Sequence, residues 1–420
     1  MAASGTRIAY LDNNANTLAP AEVIDEMITW TNRGNPSREM MASFREELAA
    51  ACGITLEGSD GFTILLTSGA SESNCHILTV AARSYTRKTN RLPHIVVSTI
   101  EHKSIILCCN QLLEDKVIQL TMVDPETTGE RIGSIDPEKV GDAIRENTCL
   151  VCVMAANNET GIKNDVKAIA AIAHAHKVPM FSDCVQTFGK YPTQANDIGL
   201  DAFSMTFHKL HGPLGSGCLF IRNTFMTGYG LCSYICGMQN GGMRGGTENI
   251  PAIAGSRKAL ELMQIDRKKK TARMSALKSA LYKSLIKSYE SHTLDSYRKM
   301  YSDNKIEPDH TVIVFITPNN SDRALENTLM FAAYRPKLCN KNLQNELEKL
   351  NVLVGVGSAC NTKNAKASHV LTALDLPDAL KWKVLRVSVG DNNKPNDIEQ
   401  FLNAFDIAIN SPNSLQIEKK

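Results

Sequence analysis

The chain has 420 residues, enough for two or three domains and a large buried core. Hydrophobic residues make up 43% and charged residues 21%, which excludes a disordered chain. The 46 Lys+Arg against 44 Asp+Glu leave a net charge of +2, too small an excess for a general nucleic-acid binder, so the function is to be sought in a pocket.

Residues 20–31 and 38–52 have helical spacing, and FTILLT at 62–67 reads as a buried strand running into Ser68-Gly69-Ala70-Ser71. A helix is expected to start near Glu72. Strand-like runs follow at 94–99 (HIVVST), 150–157 (LVCVMAAN), 178–183 (VPMFSD), 202–207 (AFSMTF) and 217–221 (GCLFI). Short apolar strands separated by helix or loop indicate an α/β unit with a mostly parallel sheet. Ligands bind such sheets outside the carboxyl ends of the strands. Ser71, His102, Asn158, Asp183, His208 and Lys209 all fall there. Residues 256–294 read as one long amphipathic helical region, its Arg267-Lys268-Lys269-Lys270 run a solvated face. A second domain is expected beyond it. Its strands are at 310–316, 351–357 and 382–389, and its helices at 323–334, 341–350, 366–375 and 396–410, with a frayed tail after Ser411.

The 12 cysteines are scattered through apolar runs with no preceding signal peptide, the pattern of reduced thiols in a cytoplasmic or comparable reduced compartment. A mitochondrial form stays open. No apolar stretch approaches the roughly 20 residues that cross a bilayer. Cys149 and Cys152 lie within a strand pattern, and His208 and His211 lack a third partner, so no metal site is expected.

The chemistry concentrates in FSMTFHKLHGPLGSG, residues 203–217. A lone lysine reads as a solvent-facing charge. Lys209, however, stands 26 residues after Asp183 in SDCVQTFGK, and the SGASESN turn at 68–74 opens a helix. A lysine, a carboxylate and a phosphate-cradling helix start together suit pyridoxal phosphate. Ser71 and Thr206 add hydroxyls for its phosphate.

The sequence closely resembles the cysteine desulfurases of the fold-type I, class V aminotransferase group. The matching segments are LDNNAN (11–16), GNPS (34–37), SGASESN (68–74), EHKS (101–104), NNETG (157–161), SDCVQTFGK (182–190), SMTFHKLHGPLGSG (204–217), RGGTENIPAIAG (244–255), CN (339–340), GSACNT (357–362) and RVSVG (386–390) with Asp397. Together they run from about residue 8 to about residue 405. The resemblance implies a large domain, 15–260, with a mostly parallel seven-stranded sheet. It also implies a smaller α+β domain formed by 1–14 and 261–420.

Carried onto these positions, Lys209 is the cofactor lysine and Asp183 its partner at the pyridine nitrogen. His102 stacks on the ring and assists proton transfer, Gln186 contacts the ring hydroxyl, and Asn158 lies near ring and substrate. Ser71, Thr206 and His208 hold phosphate, and Thr247 reaches the phosphate of the other subunit, which implies a homodimer with shared sites. Arg386 holds the substrate carboxylate, a task that suits its planar fork. Cys360, between a glycine-bearing turn and the polar run NTKNAK, is the sulfur-accepting nucleophile. Its intrinsic pKa of about 8.5 leaves a few per cent thiolate near neutrality. The implied reaction converts L-cysteine to L-alanine, with sulfur carried as a Cys360 persulfide to an acceptor such as an iron–sulfur scaffold protein or the tRNA thiolation machinery. Neither direct nucleic-acid binding nor a membrane is required. A selenocysteine lyase or other class V lyase, and a non-catalytic dimeric scaffold, are the alternatives.

The chain departs from the usual pattern at Asn16 (for threonine), Cys75 (for asparagine), Phe181 (for histidine) and Asn240 (for glutamate). Glu39 and Met40 stand where a histidine usually follows GNPS.

Overall fold

The computed structural model describes residues 7–31, 33, 38–191, 194–303, 308–357 and 367–415. Cys360 with most of GSACNT, and the GNPS segment, lie outside the described residues.

The chain opens with β1 (Ala9–Leu11), α1 (Ala21–Thr31) and α2 (Arg38–Cys52). An alternating series follows: β2 (Phe62–Thr67), α3 (Ala70–Thr89), β3 (His94–Ser98), α4 (Lys103–Glu114), β4 (Gln119–Val123), α5 (Pro137–Ala143) and β5 (Thr148–Cys152). It continues through α6 (Val166–Ala175), β6 (Met180–Asp183), α7 (Ala195–Ile198), β7 (Ala202–Thr206), β8 (Gly217–Arg222) and α8 (Asn223–Tyr229). The strands form a seven-stranded sheet in the order β2-β8-β7-β6-β5-β3-β4. Only β8 runs against its neighbours.

Both faces of this sheet are covered, which is why its strands read as continuous apolar runs rather than alternating ones. Phe203, Met205, Phe220 and Val151 pack on the α2 side, while Phe181, Ala202, Leu219 and Leu150 pack with Ile77, Val80 and Ile105 of α3 and α4. Phe203 and Phe220 stack with centroids 4.2 Å apart and planes inclined by 7°. Phe181 is wholly in the core, so that departure from the family pattern lies outside the cavity described below.

The second half comprises α9 (Ile250–Gln264), α10 (Arg267–Ser288), β9 (Glu290–Thr293), α11 (Leu294–Tyr297), β10 (Val312–Phe315) and β11 (Thr328–Tyr334). After these come α12 (Asn340–Lys349), β12 (Val352–Val356), α13 (His369–Ala373), α14 (Asp378–Lys381), β13 (Val384–Ser388) and α15 (Pro395–Asn410). A six-stranded sheet runs β1-β12-β13-β11-β10-β9, with α10, α12 and α15 packed on it. This is the expected α/β fold, a large mostly parallel sheet with a smaller α+β domain.

Three expectations need correction. The helix placed at 323–334 is largely the strand β11, buried at all seven positions between β10 and β13. With both faces covered, TLMFAAY shows no twofold alternation and does not distinguish strand from helix. The region 256–294 is two helices, broken at Ile265–Asp266, where Asp266 takes a left-handed φ of 53°, and it ends in β9. The segment after Ser411 is held as far as Leu415: Cys339 N–H donates to Ser414 O (3.0 Å), and Ser414 is fully buried.

Phe203→Ala removes one of two stacked, fully buried rings and is expected to cost about 3–5 kcal/mol. A lowered urea midpoint for the first unfolding transition checks this.

Candidate active site

Five strand ends converge on one cavity of about 500 Å³. Its lining includes Ser71, His102, Asn158, Asp183, Gln186, Thr206, His208, Lys209 and Arg386. Each is delivered by a local device.

Two residues past β2 comes Gly69, whose φ of 148° and ψ of 174° lie in a region open essentially only to glycine. That turn starts the 20-residue α3 with no side-chain cap, and its first residues, Ala70 to Glu72, line the cavity, a ready anion site. Ser71 beside them has no hydroxyl partner among the described residues. Thr206, at the end of β7, hydrogen-bonds its Oγ1 to His208 Nδ1 (2.9 Å). Burial, reinforced by Lys209, pulls the His208 imidazole down to about 4, so it is neutral near pH 7.

Asp183 closes β6 and is 4% exposed. Asn74 Nδ2 donates to its Oδ2 (3.0 Å) and Val185 N–H to its Oδ1 (2.9 Å), which fixes the carboxylate plane. Asn74 also donates to Ser104 Oγ (3.0 Å) and accepts from Ser204 Oγ (2.6 Å), joining α3, α4 and β7 beneath the site. His102 caps α4: its Nδ1 pairs with Ser104 Oγ (2.8 Å) and accepts from Ser104 N–H (3.2 Å), leaving Nε2 without a partner among the described residues. Burial holds this imidazole below its ordinary range, with Asp183 opposing and Lys209 assisting the shift. Behind it the fully buried Glu101 carboxyl is pushed up to about 8 by burial, and so stays protonated near neutrality.

Lys209 follows β7 in a single 3₁₀ turn, Phe207–Lys209. Its Nζ donates to the carbonyls of Asn14 (2.6 Å) and Ala15. Burial, and the Arg386 guanidinium after it, bring the amine down to about 8. Gln186 donates to Asn14 O (3.3 Å) and accepts from Lys190 Nζ (3.3 Å). Lys190 is itself drawn down to about 7 by burial and by Lys209.

Arg386 sits on β13. Nη2 pairs with Asp12 Oδ1 (2.5 Å) and Nη1 with Asn158 O (3.0 Å), while Nε is buried and has no partner among the described residues. Gly355, opposite it on β12, makes this possible: a Cβ there would lie 2.8 Å from both Arg386 Nη2 and Asp12 Oδ1. Asn157 orients its neighbour Asn158 by accepting from the N–H groups of Glu159 (2.9 Å) and Thr160 (2.8 Å) in an Asx turn.

One expected residue among those described is not in this cavity. Thr247 is exposed and lines none of it, although its segment is tied to the cradle: Arg244 pairs bidentately with Glu72 (2.7 and 3.0 Å), and Glu72 accepts from Ser68 N–H (2.8 Å). Cys360 lies outside the described residues. Asn240, a departure from the family pattern, braces the same segment. It accepts from Arg45 Nη2 (2.9 Å) and Leu66 N–H (3.2 Å) and donates to Arg244 O (3.0 Å).

The residues fit pyridoxal phosphate with an amino-acid substrate. The uncapped helix start and Ser71 suit a phosphate, the fixed Asp183 carboxylate a pyridinium nitrogen, and the orphaned Arg386 Nε a carboxylate. When bound, pyridoxal phosphate offers an aldehyde to an amine and a ring that withdraws electrons from the carbon bearing the substrate's amino group.

Comparison with known proteins agrees. The chain belongs to the class-V aminotransferases, whose family model, Aminotransferase class-V, matches residues 9–401. Within that family it is a pyridoxal-phosphate-dependent enzyme of the cysteine desulfurase group, IscS- and NifS-like. It is 29% identical over 414 residues to the mitochondrial cysteine desulfurase of Saccharomyces cerevisiae, covering 95% of this chain and 74% of that one. It is 28% identical over 412 residues to cysteine desulfurase IscS of Dictyoglomus turgidum, covering 95% and 94%. A solved NifS-like protein superimposes with a TM-score of 0.78 at 27% identity, covering 96% and 99%.

Asp12, Asn14, Asn74 and Lys190 received no role from the sequence, though all four lie within the quoted motifs LDNNAN, SGASESN and SDCVQTFGK. For Asp12, Asn14 and Asn74 the signal was a carboxylate or amide within three residues of a strand end, or one turn into a helix.

Because Lys209 titrates near 8 and deprotonates into the reactive amine, capture of pyridoxal phosphate by apo-enzyme should accelerate up to about pH 8 and then level off. Arg386→Ala removes a neighbouring cation, so the same absorbance-monitored profile should shift to higher pH.

Proposed function

We propose that the protein is a cysteine desulfurase that converts L-cysteine to L-alanine and passes the sulfur to Cys360 as a persulfide. The observation that carries this reading is the union of Lys209, Asp183 and Arg386 in one cavity, with the lysine amine half-neutral near pH 8. The chain's likeness to a solved SspA in complex with cysteine (TM-score 0.69, 27% identity) supports the substrate.

In this reading Arg386 Nε and Nη groups orient the substrate carboxylate, and Asn158 bounds the amino-acid side. The Lys209 amine, low in proton affinity, removes the Cα proton and returns it. His102, neutral and with Nε2 free, moves the proton of the substrate sulfur. Asp183 stabilises positive charge at the ring nitrogen, while Gln186 contacts the ring hydroxyl. Ser71, Thr206 and His208 hold the phosphate, joined by Thr247 of a second copy in a homodimer. Its exposure in the single chain suits a residue that acts across an interface. The domain division at 15–260 against 1–14 and 261–420 is part of the same reading. The helix break at Ile265–Asp266 and the place of β1 in the six-stranded sheet support it. The sulfur then goes to a thiol acceptor, for iron–sulfur cluster assembly or tRNA thiolation, in a reduced compartment. Among the described residues no helix is long and apolar enough to cross a membrane.

The test is L-cysteine turnover by the purified holoenzyme with dithiothreitol, following alanine and sulfide together. Wild type should form the two in equal amounts. Cys360→Ala should lose both by at least about a hundredfold, as expected when a nucleophile is removed. A wild type that binds pyridoxal phosphate yet forms neither product overturns the desulfurase reading.

A further inference from the structure

Outside the cavity, α3 and α4 bring two cysteines together. Cys75 lies one turn beyond Ser71 on α3, and Cys108 one turn beyond Ser104 on α4. The helices are in register here: Asn74 Nδ2 donates to Ser104 Oγ (3.0 Å), and Cys75 Sγ donates to Ser104 O (3.7 Å). One turn further on, Thr79 Oγ1 and Cys108 Sγ approach to 4.0 Å. Helical side chains lean toward the N-terminus of their own helix, so Cys108 Sγ tilts down over the Ser104 turn, where Cys75 Sγ already sits. The two thiols therefore face each other across this contact. Both residues are partly exposed, whereas Cys109, Cys149 and Cys152 nearby are buried.

The pair is chemically asymmetric. The neighbouring Cys108 thiol outweighs burial and brings the Cys75 thiol down to about 7, while Cys108 is pushed up by Cys75 and by burial. Cys75 is thus the sulfur ionised near neutral pH, and Cys108 the one that keeps its proton until its partner has reacted.

We propose that Cys75 and Cys108 are a reversible dithiol–disulfide pair that cross-links α3 to α4. Cys75 is the attacking thiolate and Cys108 the resolving thiol. The oxidant is a small thiol-specific electrophile, a low-molecular-mass disulfide or its azo equivalent. With the azo reagent diamide, the Cys75 thiolate adds to the N=N bond. Cys108 sulfur then attacks Cys75 sulfur, the S–N bond breaks and the S–S bond forms. The two thiol protons and two electrons leave on the reagent as a hydrazine. The cross-link falls one turn past Ser71 and Ser104, so it staples together the helices whose first turns carry Ser71 and His102.

The experiment treats the holoenzyme with diamide, alkylates remaining thiols and maps the peptides by mass spectrometry. The expected product is a Cys75–Cys108 cross-linked peptide two hydrogens lighter than its parts, absent from Cys108→Ala and reversed by dithiothreitol. Full alkylation of both cysteines after diamide overturns the proposal. So does a disulfide that joins either of them to another cysteine or to a second chain. Fragment-ion sequencing of the wild-type cross-linked peptide tells Cys108 from its neighbour Cys109 and so separates these outcomes whether or not the Cys108→Ala variant folds.

Discussion

Two cations held in one cavity set the terms for the whole site. Lys209 and Arg386 both lie mostly out of water, and burial first, then the Arg386 guanidinium, disfavours charge on the Lys209 amine. Asp12 and the Asn158 carbonyl hold the Arg386 guanidinium in place. Both effects fall on the lysine, whose Nζ donates to the carbonyls of Asn14 and Ala15 while Asp12 and Asp183 offset part of the shift. An amine in that position gives up its proton near neutral pH, which a nucleophile and base at Cα requires. Remove Asp12 and the balance changes at both ends. The short LDNNAN segment is thus part of the site's electrostatics and not merely a stretch of chain packed nearby.

The anionic side is built from helix starts. α3 begins on a glycine with no side-chain cap, leaving its amides for a ligand. α4 is capped by His102, which spends its Nδ1 on the Ser104 amide and hydroxyl and keeps Nε2 for the cavity. Asn74 then locks the two helices to Asp183 and to β7 through three hydrogen bonds. The α3 helix start, the Asp183 carboxylate and the His102 turn are consequently positioned by one buried amide. Beneath them the protonated Glu101 carboxyl accepts from Met154 N–H (2.8 Å) without adding a negative charge.

Much of this was legible in the sequence, for a definite reason. A parallel sheet puts reactive residues at strand ends, and strands covered on both faces stand out as short apolar runs, so Ser71, His102, Asn158, Asp183, His208 and Lys209 could be placed from the residues alone. Asp12 could not. Its importance depends on β1 lying beside β12, and on Gly355 leaving space for Arg386 to reach across, a relation between residues at opposite ends of the chain. β11 failed for a different reason: the double coverage that makes a central strand apolar throughout also erases its period. Thr247 was picked out by resemblance, and its exposure in the single chain says only that it is not needed to close the wall of its own cavity.

The place of β1 also dictates when the site comes into being. β1 pairs with Val352–Val354, and Asn13 N–H bonds Ser388 O (3.2 Å), so residues 9–13 reach their final positions against strands from the far end of the chain. During synthesis the seven-stranded sheet has all its strands by residue 222, yet the carbonyls that grip Lys209 are not yet anchored. Such long-range closure is slow and comes last. A nascent chain stalled before β13 would hold a phosphate cradle and a lysine but no arginine. Competence to act on an amino acid thus arrives in a single late step, when the last strand of the smaller sheet is laid down.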